Sequence, residues 1–101
     1  MSIADELITR GWCQFDEMDR EGRVCLRGAA SLAYTGTTDL AFMLPEVVRD
    51  TLYSLVEARG YDGIADWNDN VDRTYEEVLR LAKEADEILD NIQSNRTGAT
   101  P

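Results

Sequence analysis

Apolar and polar positions follow helical spacing along two segments of the chain, residues 45–59 and 75–92. In the first segment the apolar stripe consists of Val48, Leu52, Leu55 and Val56. In the second, the apolar face consists of Val78, Leu81, Ala82, Ala85, Ile88, Leu89 and Ile92. Such stripes predict amphipathic helices with one face in a core. On the opposite face of the second helix, i,i+4 ion pairs are expected between Glu76 and Arg80 and between Lys83 and Glu87.

The N-terminal half carries weaker patterns. Ser2 and Gly11 suit the two ends of a short helix over residues 3–10, in which Leu7 and Ile8 would face the core. A second short helix, buried, is predicted from the stretch CLRGAASLAY. Its small residues would let another helix approach closely, and they are Gly28, Ala29, Ala30 and Ala33.

Between these two helices the stretch WCQFDEMDREGRVCL alternates only loosely around a polar turn, in which Gly22 can adopt positive φ. We therefore expect an irregular or β-hairpin insert near residues 13–25. The predicted fold class is mainly α, a small single-domain helical bundle of three to five helices over residues 1–92. The polar tail, residues 93–101, has no apolar face to bury and is predicted to be disordered.

The stretch DWNDNVDRTYEE, residues 66–77, places oxygen-bearing side chains at most of the positions that bind calcium in an EF-hand loop. Position 6 of such a loop requires glycine, however, and Val71 stands there, although β-branched residues rarely adopt positive φ. Thr74 and Glu77 also form the T-x-x-E pattern of a helix capping box, which already accounts for the last carboxylate. We therefore predict a capped helix start and no metal site.

Trp67 lies among the polar residues of this stretch, where a solvated loop rarely places a large aromatic side chain. Either the ring anchors the stretch in the core, or it is an exposed recognition residue. Asn68 and Asp69 could bind backbone groups around it, since both side chains favour local turns.

Acidic residues outnumber basic ones by 20 to 10, which gives a formal net charge of −10. Direct binding to nucleic acid or to an anionic membrane is not expected, because both usually require a basic face. No apolar run approaches the length of a membrane span. Residues 62–90 hold ten acidic and three basic residues. This segment is either a solvated surface or a face that docks a basic partner, with candidate contact residues Glu76, Glu84 and Glu87.

The chain has two cysteines and no histidine, which excludes histidine-dependent triads and a four-ligand zinc site built from these residue types. Cys13 could serve as a nucleophile, although no suitable base accompanies it. The two thiols are predicted to be reduced and separate, because a hairpin turned at Glu21-Gly22 sets Met18 opposite Cys25. No secretory signal is recognised at the N-terminus, so a cytoplasmic location is expected, and no cofactor is predicted.

Three stretches carry a family resemblance: RGWC at residues 10–13, CLRGA at 25–29 and IADWNDNVDRTYEEVL at 64–79. Together they resemble a small domain-of-unknown-function family of actinobacteria and their phages. Its members share an R-G-W-C-Q start, a C-x-x-G-A helix and a W-N-D-x-x-x-R-T-x-x-E-V-L ending. The family brings no established activity. The resemblance implies one packed corner formed by Trp12, Cys13, Cys25, Trp67, Asn68, Asp69, Arg73 and Thr74.

Three functions are consistent with these observations. The first is a small acidic interaction protein, phage-borne, that binds and occludes a host macromolecule with a basic surface. The second is a small-ligand binder or enzyme built around Trp67, Asn68, Asp69 and Arg73, with Trp12 and Cys13 nearby. The third is a structural subunit of a larger or homo-oligomeric assembly, in which the apolar stripe of residues 48, 52, 55 and 56 is partly shared between chains.

Overall fold

The computed structural model of the chain describes residues 2–39 and 43–98, and within them the backbone forms five helices. They are α1 (Ile3–Arg10), α2 (Leu26–Thr35), α3 (Glu46–Glu57), α4 (Ile64–Asn68) and α5 (Tyr75–Gly98). The predicted mainly helical fold is confirmed, and no strand forms in the described part of the chain.

The helices pack around the core in a ring. Helices α1 and α3 pack against α5, α2 packs against α1 and α4, and α3 also packs against α4. The predicted apolar stripe of α3 is buried within the chain. In α1 the prediction is wrong for Ile8, which is 57% exposed. The buried face of α1 is formed by Ile3 and Leu7, because residues four apart lie on the same side of a helix.

The start of α1 is held by the helix it packs on. The carboxylate of Asp86 in α5 accepts hydrogen bonds from the backbone N–H groups of Ile3 and Ala4 at 2.8 and 3.0 Å. These amides have no partner inside their own helix, so the carboxylate satisfies them and docks α1 on α5. Burial raises the pKa of Asp86, although both hydrogen bonds oppose that shift.

The insert between α1 and α2 is irregular, with isolated bridges in place of strands. Met18 pairs with Val24 rather than with Cys25, so the predicted register is wrong by one residue. The turn is closed by the carboxylate of Asp19, which accepts a hydrogen bond from the backbone N–H of Arg23 at 2.9 Å. This side-chain closure shifts the pairing away from the two-residue hairpin that the sequence suggested.

Gly28 lies at the closest approach between α2 and the insert. A Cβ atom here would overlap the backbone carbonyl group of Glu17. The sequence predicted that this small residue would admit another helix, but the neighbour at Gly28 is the backbone of a loop. Ala29 and Ala30 are fully buried in the helical core.

Two features of the C-terminal half differ from the prediction, namely the helix α4 and the point at which α5 ends. Helix α4 forms within a stretch that was predicted to be a loop, because Ile64 and Trp67 bury its inner face. Helix α5 continues past residue 92 to Gly98, and residues 99–101 of the predicted tail lie outside the described ranges. In the ranges that the structure describes, no helix is both long and apolar enough to cross a membrane.

Candidate functional site

The side chain of Asn68 is the centre of a buried hydrogen-bond network. Its Oδ1 accepts from the indole Nε1 of Trp12 at 2.9 Å and from the backbone N–H of Leu26 at 3.0 Å. Its Nδ2 donates to the carbonyl oxygen of Cys13 at 3.3 Å and to the carboxylate of Asp69 at 2.9 Å. Asn68 is only 1% exposed. We call this arrangement the Asn68 network, and it joins the insert, the start of α2 and the end of α4.

The same residues fix the conformation of an exposed loop. Gln14 donates from Nε2 to the carbonyl oxygens of Asn68 and Asn70 at 3.1 and 2.8 Å. The backbone N–H of Phe15 donates to the Asp69 carboxylate at 2.9 Å. Phe15 has a positive φ of 72°, and it is 74% exposed. The Asn68 network therefore holds a large aromatic side chain in solvent, on a backbone conformation that such residues rarely adopt.

The two cysteines take structural positions. The sulfur of Cys13 lies 3.4 and 3.2 Å from the carbonyl oxygens of Asp16 and Arg23, which share its single S–H donor, and burial raises its pKa to about 11. Cys25 caps α2, since its sulfur accepts from the backbone N–H of Gly28 at 3.2 Å. Both thiols are free, as predicted. A thiol that stays protonated at neutral pH is a poor nucleophile, so the geometry does not support a nucleophilic role for Cys13.

Arg73 lies on the other side of α4. Its guanidinium stacks on the ring of Trp67, 4.1 Å from the ring centroid, and lies 5.2 Å from the centroid of Tyr61. Its Nε donates to the carbonyl oxygen of Trp67 at 2.8 Å, and Nη1 pairs with the Glu77 carboxylate at 3.2 Å. Trp67 is 2% exposed, which confirms that its ring anchors the stretch in the core.

The predicted capping box is confirmed at the start of α5. The Thr74 hydroxyl accepts from the backbone N–H of Glu77 at 3.2 Å, while the Glu77 carboxylate accepts from the backbone N–H of Thr74 at 3.0 Å. The pKa of Glu77 is lowered by the hydrogen bonds that its carboxylate accepts from the backbone N–H and the hydroxyl of Thr74, and by the charge of Arg73. In the loop before it, the Oδ1 of Asn70 accepts from the backbone N–H of Asp72 at 2.9 Å. Three of the side chains that occupy calcium-loop positions, Asn68, Asn70 and Glu77, thus already accept hydrogen bonds from donors of the chain itself.

A surface cavity of about 330 Å³ opens beside Arg73. We call it the arginine cavity, and its lining residues are Arg59, Tyr61, Trp67, Arg73, Glu77 and Arg80. Sequence analysis singled out only part of this set. It missed Tyr61, and it paired Arg80 with Glu76 and did not consider Arg59. No sequence pattern links these positions, because the loop after α3, helix α4 and the start of α5 meet only in the folded chain.

The predicted sites fall into separate places. Asp69 belongs to the Asn68 network, whereas Arg73 faces the arginine cavity, so the two do not act as a pair. Among the described residues, the ion pairs predicted along α5 do not form; Glu84 instead pairs with Arg59 at 3.0 Å. Glu76 and Glu87 are exposed along α5, and Glu87 lines the groove between α5 and α1.

Comparison with known proteins identifies one family. A model described as a family of unknown function, DUF6197, matches residues 2–87. No curated protein and no solved structure matches the chain. The matched range covers α1 to α4 and the first half of α5, and therefore contains both the Asn68 network and the arginine cavity. The chain belongs to the DUF6197 family of unknown function.

Proposed function

We propose that this protein is an acidic interaction protein, with the loop around Phe15 as the centre of its docking surface. The observation that supports this most directly is the exposed Phe15 ring, held on a left-handed backbone. Such a conformation destabilises a non-glycine residue by roughly 1–3 kcal/mol and persists only where the surroundings enforce it. Because three hydrogen bonds from residues 14 and 15 to residues 68–70 enforce it here, the exposure of the ring is a built feature.

The charge around Phe15 favours a basic partner. A small cavity of about 120 Å³ beside the ring is lined by Asp16, Glu17 and Asp69. Arg27 also lines it, but Glu17 already pairs with this guanidinium. Among the residues that line this cavity, the carboxylates that form no ion pair are those of exposed Asp16 and half-buried Asp69. An aromatic anchor with acidic neighbours suits a Lys- or Arg-rich surface, and the net charge of −10 would steer that surface toward the protein.

The proposal includes an origin and a place of action. We infer a phage-borne protein that occludes a host macromolecule in the cytoplasm of an actinobacterium. The resemblance of three motifs of this chain to a family of actinobacteria and their phages is the support for this origin. The exposed carboxylates Glu76 and Glu87 of α5 would contribute to long-range attraction rather than to the anchor itself.

Capture from an actinobacterial lysate tests the docking surface. The full chain and the variant Phe15→Asn are compared, because asparagine tolerates the left-handed conformation but lacks the ring. We expect the variant to lose about tenfold or more of its affinity for the captured partner while its thermal midpoint does not fall. Binding by the unmodified chain should also weaken as ionic strength rises.

Val71→Asn is the matched control, since Val71 is 89% exposed and lies outside the Phe15 loop. This variant should capture the partner as well as the unmodified chain does. Equal capture by Phe15→Asn and Val71→Asn would overturn the proposal. A complete lack of partners at low ionic strength would do so as well.

A further inference from the structure

We propose that the arginine cavity is a binding site for a small oxyanion, a compound that carries a phosphate or carboxylate group. This inference is independent of the Phe15 docking surface. The cavity draws together Arg59, Arg73 and Arg80, three of the ten basic residues of the chain. Glu77 is the one carboxylate among its lining residues. A locally positive site in a chain of net charge −10 is a strong departure from the average of the surface.

Arg73 provides the fixed part of the site. Its side chain is 9% exposed, and stacking on Trp67 together with the bond from Nε to a backbone carbonyl sets the plane of the guanidinium. Its Nη2 is buried and has no hydrogen-bond partner in the described part of the chain. A buried donor without an acceptor is unfavourable, typically by about 1–3 kcal/mol. Nη2 is closed to solvent, so its charge acts on the adjoining cavity through the field of the guanidinium, which is positioned in advance and attracts an incoming anion.

Arg80 and Arg59 provide the adaptable part. Arg80 is exposed, and among the described residues it forms no ion pair. Arg59 is held at the end of α3 by a bond from Nη1 to the carbonyl oxygen of Leu55 at 2.8 Å, while Nη2 reaches the Glu84 carboxylate. An anion in the cavity would meet Arg80 as a free donor and Arg59 as a donor that can exchange its exposed carboxylate partner.

The size of the cavity defines the class of ligand. A volume of about 330 Å³ lies at the lower end of the range found for small-molecule sites, about 300–1,000 Å³. The planar fork of arginine matches the two oxygens of a carboxylate or phosphate group. The site therefore suits a small organic anion rather than a macromolecular surface.

Titration with inorganic phosphate tests the inference on the full ¹⁵N-labelled chain, with chloride added to hold the ionic strength constant. The readout is the Nε–Hε signals of the arginines by NMR. We expect saturable shifts at Arg73 and Arg80, and little change at Arg20, which is exposed on the insert. A parallel titration with acetate tells whether the cavity binds only phosphate groups or carboxylate groups as well. Shifts with phosphate alone indicate phosphorylated ligands, and shifts with both anions include carboxylates.

The variant Arg80→Gln should weaken phosphate binding by about tenfold, as expected when one hydrogen bond to a charged group is lost. Arg20→Gln is the matched control, because it removes the same charge from an exposed position outside the cavity. Arg73 is left intact, since its loss would also disturb packing on Trp67. Shifts that do not saturate with either anion, or equal binding by Arg80→Gln and Arg20→Gln, would overturn the proposal. Capture through Phe15 is unaffected by either result.

Discussion

The buried polar side chains beside α4 differ in how completely their hydrogen-bonding groups are paired. On one side of α4 the amide of Asn68 uses both its acceptor and its donor capacity within the protein. On the other side Arg73 is almost equally buried, yet one of its terminal nitrogens has no hydrogen-bond partner among the described residues. Within one sequence motif, Asn68 thus has all its hydrogen-bonding groups paired, whereas Arg73 retains one unpaired donor.

The difference separates a structural role from a binding role. A fully satisfied buried network stabilises one arrangement of the chain and leaves no group for a ligand. A buried donor without an acceptor is unfavourable for the fold alone, and such exceptions need a specific reason. We therefore assign the Asn68 network to the shape of the insert and the arginine cavity to binding. Substitutions on the two sides should have different consequences.

The largest effect is expected for Trp67→Ala, because Trp67 fills the core between the two sides and carries the guanidinium of Arg73. The free energy of unfolding should fall by about 3–5 kcal/mol. Denaturant unfolding measures this change, and Trp67→Phe should lose distinctly less. A loss below about 1 kcal/mol would show that the ring does not anchor the core.

Asn68→Ala should have the next largest effect, because it removes the Asn68 network and leaves the arginine cavity unchanged. The indole N–H of Trp12 and the backbone N–H of Leu26 would lose their acceptor in a buried place. We expect a loss of roughly 2–4 kcal/mol in the free energy of unfolding. The control is Asn91→Ala on the exposed surface of α5, where a change within about 0.5 kcal/mol is expected. Equal stability of the two variants would contradict the assignment.

Gly28→Ala tests how closely the insert must approach α2 for the network to form. The added methyl group overlaps the carbonyl group of Glu17, which is backbone and cannot rotate away. We expect a destabilisation of about 1–3 kcal/mol by thermal or denaturant unfolding. Gly63→Ala is the control, since its Cβ would lie 3.7 Å from a carboxylate oxygen of Asp66, an ordinary van der Waals contact. If Gly28→Ala is as stable as this control, the close approach is not required.

Thr74→Ala should have the smallest effect, about 1 kcal/mol, because it removes one cap beside the arginine cavity. Thr74→Ser keeps the hydroxyl and should retain most of the stability. The pKa of Glu77 is below its usual value in the folded chain, so its contribution is present above the usual pKa and is lost as the pH falls through the folded value. Thr74→Ala should raise this pKa, which NMR titration of the Glu77 carboxyl group measures. An unchanged pKa would show that the cap does not hold the carboxylate.

Local patterns predicted four of the five helices in the described part of the chain, α1, α2, α3 and α5, because each depends on residues close together in sequence. The short α4 was missed. The spacing of Val48, Leu52 and Val56 specified a buried helical face, and Thr74 with Glu77 specified a helix start. The same reasoning failed for Ile8, since a helix of eight residues offers little periodicity from which to choose its buried face. It also failed for the register of the insert, where one carboxylate, that of Asp19, sets the turn.

The sequence by itself determined the helical class, the capped start of α5 and the acidic surface, all of which depend on local spacing or on composition. Only the tertiary structure decided that Asn68 and Arg73 belong to separate sites, that Phe15 is held in solvent, and that Arg59 and Arg80 converge. These features join positions that are far apart in the chain, and hydrogen-bond geometry and burial exist only once the helices have packed. The sites of this protein therefore depend on contacts between distant parts of the chain, whereas most of its helices depend on local spacing of residues.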